Sequence, residues 1–290
     1  MIPFRNAVKN LHFIRFQRAN AHTGGRKLTS QDLQDQPDNI ARLAREAERI
    51  QLLAASKVVG FDIWAQPVGL LDLRVPVPIL TRGTTLQQIW AAIEHNLNNT
   101  VSNAIAMHRI AKEHSFPWDT TFSPFSYQIF RTKSTRSKTW LEPLRDIGLD
   151  AYKQLNTAIA KGQVSAIKQL TRDTYRRMAL ERMKALHKGR SKGLDWTLHS
   201  LASPVQCVSI RGLQGHFGKE ELKFGTRWYV QACLKFDSWQ SLAVRSSTTQ
   251  PEPKRVLEYL VFEKKMWYNE PWTIRDQLWE AVHTKDSKQK

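Results

Sequence analysis

RWYVQACLKF, residues Arg227 to Phe236, alternates without a break: Trp228, Val230, Ala232, Leu234 and Phe236 fall on one side, and Arg227, Tyr229, Gln231, Cys233 and Lys235 on the other. A period of two sustained over that length is the pattern of a β-strand with one face in a core. Weaker strand patterns flank it at Asp195 to Ala202, Val205 to Leu213, Ser238 to Ser246, Arg255 to Lys265 and Trp272 to Gln277. Gly212, Gly215, Gly218 and the Pro251-Glu252-Pro253 segment punctuate them. Upstream the period changes. Residues 139 to 162 read as a helix with Pro143 in its first turn and Gly162 at its end. Residues 163 to 188 continue as a partner helix on which Ile167, Leu170, Thr174 and Met178 share an arc while Lys168, Arg172 and Arg176 recur every four residues elsewhere. Two helices followed by antiparallel strands predict an α+β fold.

Further towards the N-terminus the aromatic residues Phe116, Trp118, Phe122, Phe125, Tyr127 and Phe130 lead into Arg131, Lys133, Arg136 and Lys138 in a stretch read as irregular. Rings that stack on bases beside cations that pair with phosphates suit RNA. Before it, Thr85 to Lys112 has helical spacing. Leu86, Ile89, Trp90, Ile93, Leu97, Val101, Ala104 and Ile105 form a stripe wide enough to bury, with Gln87, Gln88, Asn98 and Asn99 expected outside. Residues 60 to 83, with Pro67, Pro76 and Pro78, read as extended linker rather than core. Asp38 to Lys57 reads as an amphipathic docking helix of mixed charge.

The chain of 290 residues carries 44 Lys and Arg against 26 Asp and Glu, a formal +18. An excess of one sign on that scale points to a polyanionic partner. With 41% hydrophobic residues, ten Trp and twelve Phe, wholesale disorder is excluded. The charge is concentrated. Residues 1 to 31 hold six basic side chains and no acid, whereas residues 151 to 193 hold eleven against Asp173 and Glu181. The first stretch places Phe4, Val8, Leu11 and Ile14 among Arg5, Lys9, Arg15 and Arg18, which is how a mitochondrial presequence reads, a basic tail being the alternative. The second supplies Lys168, Arg172, Arg176, Arg177, Arg182, Lys184, Lys188, Arg190 and Lys192 as candidate phosphate ligands, with Arg131, Lys133, Arg136 and Lys138 as a second set.

Signals for chemistry are missing from the sequence. Cys207 and Cys233 are too few for a disulfide framework or a zinc site and are expected as buried thiols. The histidines show no HExxH spacing, no serine sits in a GxSxG elbow, and the glycines from Gly212 to Gly218 lack the Lys-Ser/Thr of a phosphate loop. No enzymatic activity, catalytic residue, metal site or cofactor is expected.

From about Trp140 to Val282 the chain resembles the Tim-forty-four-like family. The residues that carry the resemblance are Tyr175-Arg176-Arg177-Met178, the strand from Gly225 to Gln231, and Val256-Leu257-Glu258-Tyr259-Leu260-Val261-Phe262-Glu263 followed by Pro271-Trp272-Thr273-Ile274. The resemblance implies a cone like that of nuclear transport factor two, helices packed on a curved antiparallel sheet, here behind a mostly helical N-terminal extension. The expected organisation is then a presequence or basic tail (1–31), the extension with docking helices and a basic linker (32–139), the α+β domain (140–283) and a charged tail (284–290). Family members serve either the mitochondrial ribosome or the protein import motor. The acid-poor basic segments favour the first: a matrix protein of the large ribosomal subunit near the nascent-chain exit, peripheral to the inner membrane. The expected partners are large-subunit ribosomal RNA, neighbouring ribosomal proteins, the inner-membrane surface or insertion machinery, and the nascent chain. A matrix-side import-motor subunit is the alternative.

Overall fold

The structure, a computed structural model, describes residues 69–79, 84–115, 123–188, 193–216, 222, 224–244 and 251–280. The expected presequence, the helix from Asp38 to Lys57, Arg190, Lys192 and the charged tail lie outside these residues. The chain divides into two compact units, residues 1–72 and 73–290. Among the described residues of the second unit are four α-helices, α1 (Leu86–Lys112), α2 (Glu142–Lys161), α3 (Val164–Leu170) and α4 (Asp173–His187), with a 3-10 helix at Tyr127–Phe130. They precede four antiparallel strands, β1 (Leu194–Gln214), β2 (Trp228–Val244), β3 (Lys254–Lys265) and β4 (Thr273–Leu278), in the order β1-β2-β3-β4. The α+β class read from the sequence is the class observed.

The expected strands are fewer and longer in the structure. Asp195–Ala202 and Val205–Leu213 are one strand, and Arg227–Phe236 continues into the strand expected from Ser238. Pro204 does not end β1, because β1 is an edge strand with register shifts on both sides of the proline, and an edge position needs no N–H from it. The core row of β2 is as expected, with Ala232, Leu234 and Phe236 fully buried. The opposite row is buried too, at Tyr229, Gln231 and Cys233, so the sheet has two covered faces in its middle. Cys207 and Cys233 are free, buried thiols, and burial pushes the Cys207 thiol up to about 12, far from a reactive thiolate. Gly225, at φ +53, precedes β2; a Cβ there would lie 2.0 Å from the Met266 carbonyl oxygen, which only glycine avoids.

Helix α2 packs its apolar side on the sheet. Leu144, Tyr152, Leu155 and Ile159 are buried, Tyr152 stacks on Phe236 with centroids 4.5 Å apart, and Gly162 ends the helix in the left-handed conformation that its sequence position predicts. Each of these large side chains contributes roughly 1.5–3 kcal/mol of burial. The single helix expected over residues 163–188 is instead two. At Thr171 the backbone is extended, Thr171 bridges to Ile274 of β4, and the Arg172 N–H donates to the Ile274 carbonyl at 2.9 Å. This pairing covers part of the β4 edge at the expense of one turn of helix. Lys168, Arg172 and Arg176 therefore do not form a stripe on one helix.

Helix α1 begins where its sequence says. Thr85 accepts from the Gln88 N–H, and Gln88 Oε1 accepts from the Thr85 N–H, a complete capping box. Its orientation departs from the expectation, although Gln87 and Asn98 are exposed and Ala104 is buried as expected. Asn99 and Asn103 are buried at 0% and 1% exposure, while Leu86, Trp90, Leu97, Val101 and Ile105 are 48–76% exposed. The cause is the open edge of β1. Asn103 Nδ2 donates to the Val208 carbonyl, and its Oδ1 accepts from the Ile210 N–H and from Arg211; Asn99 Nδ2 donates to Val208, and its Oδ1 accepts from Ser209. Carboxamides supply the donors and acceptors that a missing neighbouring strand would have given. The same helix face holds the preceding segment, with Asn96 pairing both backbone groups of Val77 and His95 meeting the Val75 carbonyl. The part of the expected linker described within this unit, residues 73–79, forms neither helix nor strand, but Leu73, Val75 and Val77 are buried, so it belongs to the core. Asn103→Ala is expected to cost about 2–3 kcal/mol, because it orphans buried strand groups. Urea denaturation of the variant against the parent chain measures it, and a change under about 0.5 kcal/mol would contradict the edge-sealing role.

Asp237 on β2 and Arg255 on β3 form a bidentate pair at 2.8 and 2.7 Å. The Arg255 hydrogen bonds hold the Asp237 carboxyl below its ordinary range. A depressed folded-state pKa means that the stabilisation is present above about pH 4, the unfolded value, and is lost as pH falls through the folded one. The urea midpoint should fall between pH 5 and pH 3 by more in the parent chain than in Arg255→Met.

Candidate nucleic-acid interface

The basic stretch from Arg131 to Lys138 is a loop whose backbone is tied from beneath. Arg145, in the first turns of α2 and only 7% exposed, donates from Nη1 to the Ser134 carbonyl and from Nη2 to the Arg136 carbonyl, both at 2.9 Å, and reaches Thr139 Oγ1 at 3.3 Å. Glu142 accepts from the Lys138 backbone N–H, and Thr132 is buried beside Asn103 Nδ2 at 3.5 Å. With its carbonyls and N–H groups used inward, the loop turns Arg131, Lys133, Arg136 and Lys138 outward, and all four are exposed. Partial desolvation lowers the Lys133 pKa although the residue as a whole is exposed. Arg131 stacks its guanidinium over the Tyr127 ring, 4.6 Å from the centroid.

Three aromatic rings border the loop. Phe125 is 88% exposed, Tyr127 63% and Phe130 64%. The segment is anchored to α1: His108 Nδ1 lies 2.9 Å from the Pro124 carbonyl, and its ring meets Phe125 edge-on at 5.7 Å. Ser126 caps the 3-10 helix by accepting from the Gln128 N–H. Of the aromatic residues expected here, Phe116, Trp118 and Phe122 lie outside the described residues.

The second set of candidates is divided by the structure. Lys168, Arg177, Lys184 and Lys188 are exposed. Three arginines are otherwise engaged: Arg172 pairs with Glu270; Arg176 wraps back to donate to the Lys168 and Thr171 carbonyls, capping the end of α3; Arg182 lies 3.7 Å from Glu258. The two sets are also separated. The loop is clamped at the start of α2 by Arg145, whereas the end of α4 meets the end of α2, where His187 Nε2 lies 3.1 Å from the Ile159 carbonyl. From Arg145 to Ile159 is about 21 Å of helix. Sequence reasoning missed Arg145, which sits among balanced charges, and missed His108 and Asn103. Placing an arginine three residues into a helix that follows a basic loop was the one local signal.

Near the C-terminal ends of α2 and α4 a cavity of about 290 Å³ is lined by Ile159, Leu186, Trp196, Leu242 and Val256, with Arg182, Asn156 and Gln240 among its polar walls. Arg182 in turn lies 3.7 Å from the buried Glu258, which accepts from Tyr152 Oη at 2.6 Å. Burial, then Glu258 itself, raises the Tyr152 pKa, which keeps the phenol a donor. Among the described residues no helix is long and apolar enough to cross a membrane, and no group of His, Cys, Asp and Glu has the arrangement of a metal site.

No protein-family model matches the chain, and no curated protein matches it. Among solved structures, the intermembrane space region of the chloroplast protein ARC6 is similar over 47% of this chain and 92% of that one, at 10% identity and a TM-score of 0.31. A likeness of that degree carries no weight for family or function.

Proposed function

We propose that the chain is a component or receptor of the mitochondrial large ribosomal subunit near the nascent-chain exit, binding ribosomal RNA and neighbouring ribosomal proteins and helping to align the ribosome with the inner membrane for insertion of newly made proteins. The observation that carries this reading is the preorganised loop from Arg131 to Lys138, whose cations point outward while Arg145 and Glu142 hold its backbone. Exposed Lys184 and Lys188, at the end of α4 that meets the far end of α2, give a second contact for an extended polyanion. Resemblance to the Tim-forty-four-like family, in particular to its ribosomal branch of protein L forty-five and the receptor Mba-one, gives the same assignment and implies that the helices and four-stranded sheet form a cone like that of nuclear transport factor two. The exposed α1 stripe of Leu86, Trp90, Leu97, Val101 and Ile105, ending in Arg109 and Lys112, supports the membrane side of the reading, since apolar and cationic groups together suit an anionic bilayer surface. The reading places the protein in the matrix, peripheral to the inner membrane, and gives it no catalytic role.

Sedimentation of detergent-solubilised mitochondria through sucrose gradients at low and high salt tests it. Comigration with the large subunit that weakens as salt rises is the expected result. Absence from the large subunit at both salts, with co-purification of a chaperone, would transfer the chain to the import motor.

A further inference from the structure

We infer that the surface formed by Phe125, Tyr127, Phe130 and the loop from Arg131 to Lys138 binds unpaired nucleotides, a single-stranded or bulged RNA segment, in preference to duplex. This rests on the reading of the chain as an RNA-binding protein and specifies what that site takes.

Cations alone do not discriminate, because every nucleic acid presents phosphate. The rings do. Three aromatic side chains at 63–88% exposure gain nothing by facing water, and within the stretch from Ser123 to Leu141 no acidic residue repels an anion drawn to them. Duplex RNA keeps its base faces inside the stack, so exposed rings have nothing to pair with there, whereas unpaired bases offer both faces. The 3-10 geometry adds a spacing. Side chains at i and i+3 eclipse in such a helix, so Tyr127 and Phe130 project on one side with their backbones about 6 Å apart. That is close to twice the roughly 3.4 Å rise between stacked bases, the gap that one inserted base requires. Phe125 stands on the same segment, braced by His108, and Arg131 carries positive charge over the Tyr127 ring. The whole surface is preorganised by Arg145, Ser126 and His108, so little ordering is left to oppose binding.

The test uses the full chain and two fluorescein-labelled probes, a mixed-sequence single-stranded RNA of about 12 nucleotides and a duplex of the same length, with vesicles of phosphatidylcholine and phosphatidylglycerol as a third arm. The single strand should bind more tightly. The triple variant Phe125→Ser/Tyr127→Ser/Phe130→Ser should lose at least about tenfold in affinity for the single strand and little for the duplex. The conservative triple Phe125→Tyr/Tyr127→Phe/Phe130→Tyr, which keeps the rings, should restore it, and an unchanged far-UV circular dichroism spectrum should accompany both. Equal affinity for the two RNAs, an unchanged single-strand affinity in the serine variant, or loss of vesicle binding with RNA binding intact would overturn the inference. Ring-dependent single-strand preference in a chain that fails to sediment with the large subunit would leave the inference standing and remove the ribosomal assignment; sedimentation without that preference would do the reverse.

Discussion

Glu263→Ala should lower the stability of the folded chain by about 3–5 kcal/mol, the cost of stranding a buried charge. Glu263 is 7% exposed and is the acceptor at the centre of a closed network: Tyr229 Oη donates to it, Arg275 Nη1 lies 3.0 Å away, and Gln231 Nε2 reaches it at 3.4 Å while also donating to Tyr229 at 2.6 Å. Arg275, 9% exposed, has Asp173 as its second carboxylate at 3.0 Å, which ties β3 and β4 to the first residue of α4. Removal of Glu263 leaves a buried guanidinium with one partly exposed counter-ion and a buried phenol without an acceptor. In the parent chain burial, and then the charge of Glu263, raise the Tyr229 pKa, so there the phenol is a donor to the carboxylate. Urea denaturation of Glu263→Ala measures the loss. The double variant Glu263→Leu/Arg275→Met should recover much of it, since an apolar pair of similar volume needs no desolvation. A Glu263→Ala cost under about 1 kcal/mol, or a double variant no better than the single, would mean that the network does not hold the sheet to α4.

The strands were the legible part of the fold because their alternation is local: each of the residues from Trp228 to Phe236 reports its side through its neighbour. Strand continuity was not legible, since Pro204 reads as a stop unless β1 is known to be an edge. Helix α1 shows the difference sharply. Thr85 and Gln88 fixed its start, but the rule that apolar residues face inward misplaced Asn99 and five residues of the apolar stripe. The polar groups on β1 that make Asn99 and Asn103 worth burying lie more than a hundred residues away. The candidate interface was legible in the same partial way. Counting cations found both basic stretches, but a count cannot separate Arg136, which is exposed, from Arg172, whose partner Glu270 is 98 residues distant, or from Arg176, which caps a helix end that the periodicity hid. Neither could it find Arg145, whose importance comes from the carbonyls of the loop.

That separation sets the size of the second large effect. Arg131→Glu/Arg136→Glu/Lys138→Glu should weaken attachment to ribosomal RNA by about a hundredfold or more near physiological salt. Each phosphate contact contributes close to one unit of slope in log affinity against log salt, which at about 0.15 M is roughly 0.7 log units of affinity from released counterions; three contacts give about two log units, before the repulsion of the new carboxylates. The salt slope should fall by about three units. These three side chains are exposed and Arg145 holds the loop by its backbone, so the variant should fold as the parent does. Arg172→Gln/Arg176→Gln is the informative comparison. It removes two cations at one unit of charge each, against two units per residue in the loop variant, and both already serve Glu270 or the carbonyls that end α3. It should lower thermal stability while changing the salt slope by less than one unit. If both variants lower the slope by about one unit per cation removed, binding depends on overall charge and the loop has no special part in it; if only the loop variant does, the RNA contact sits where Arg145 builds it.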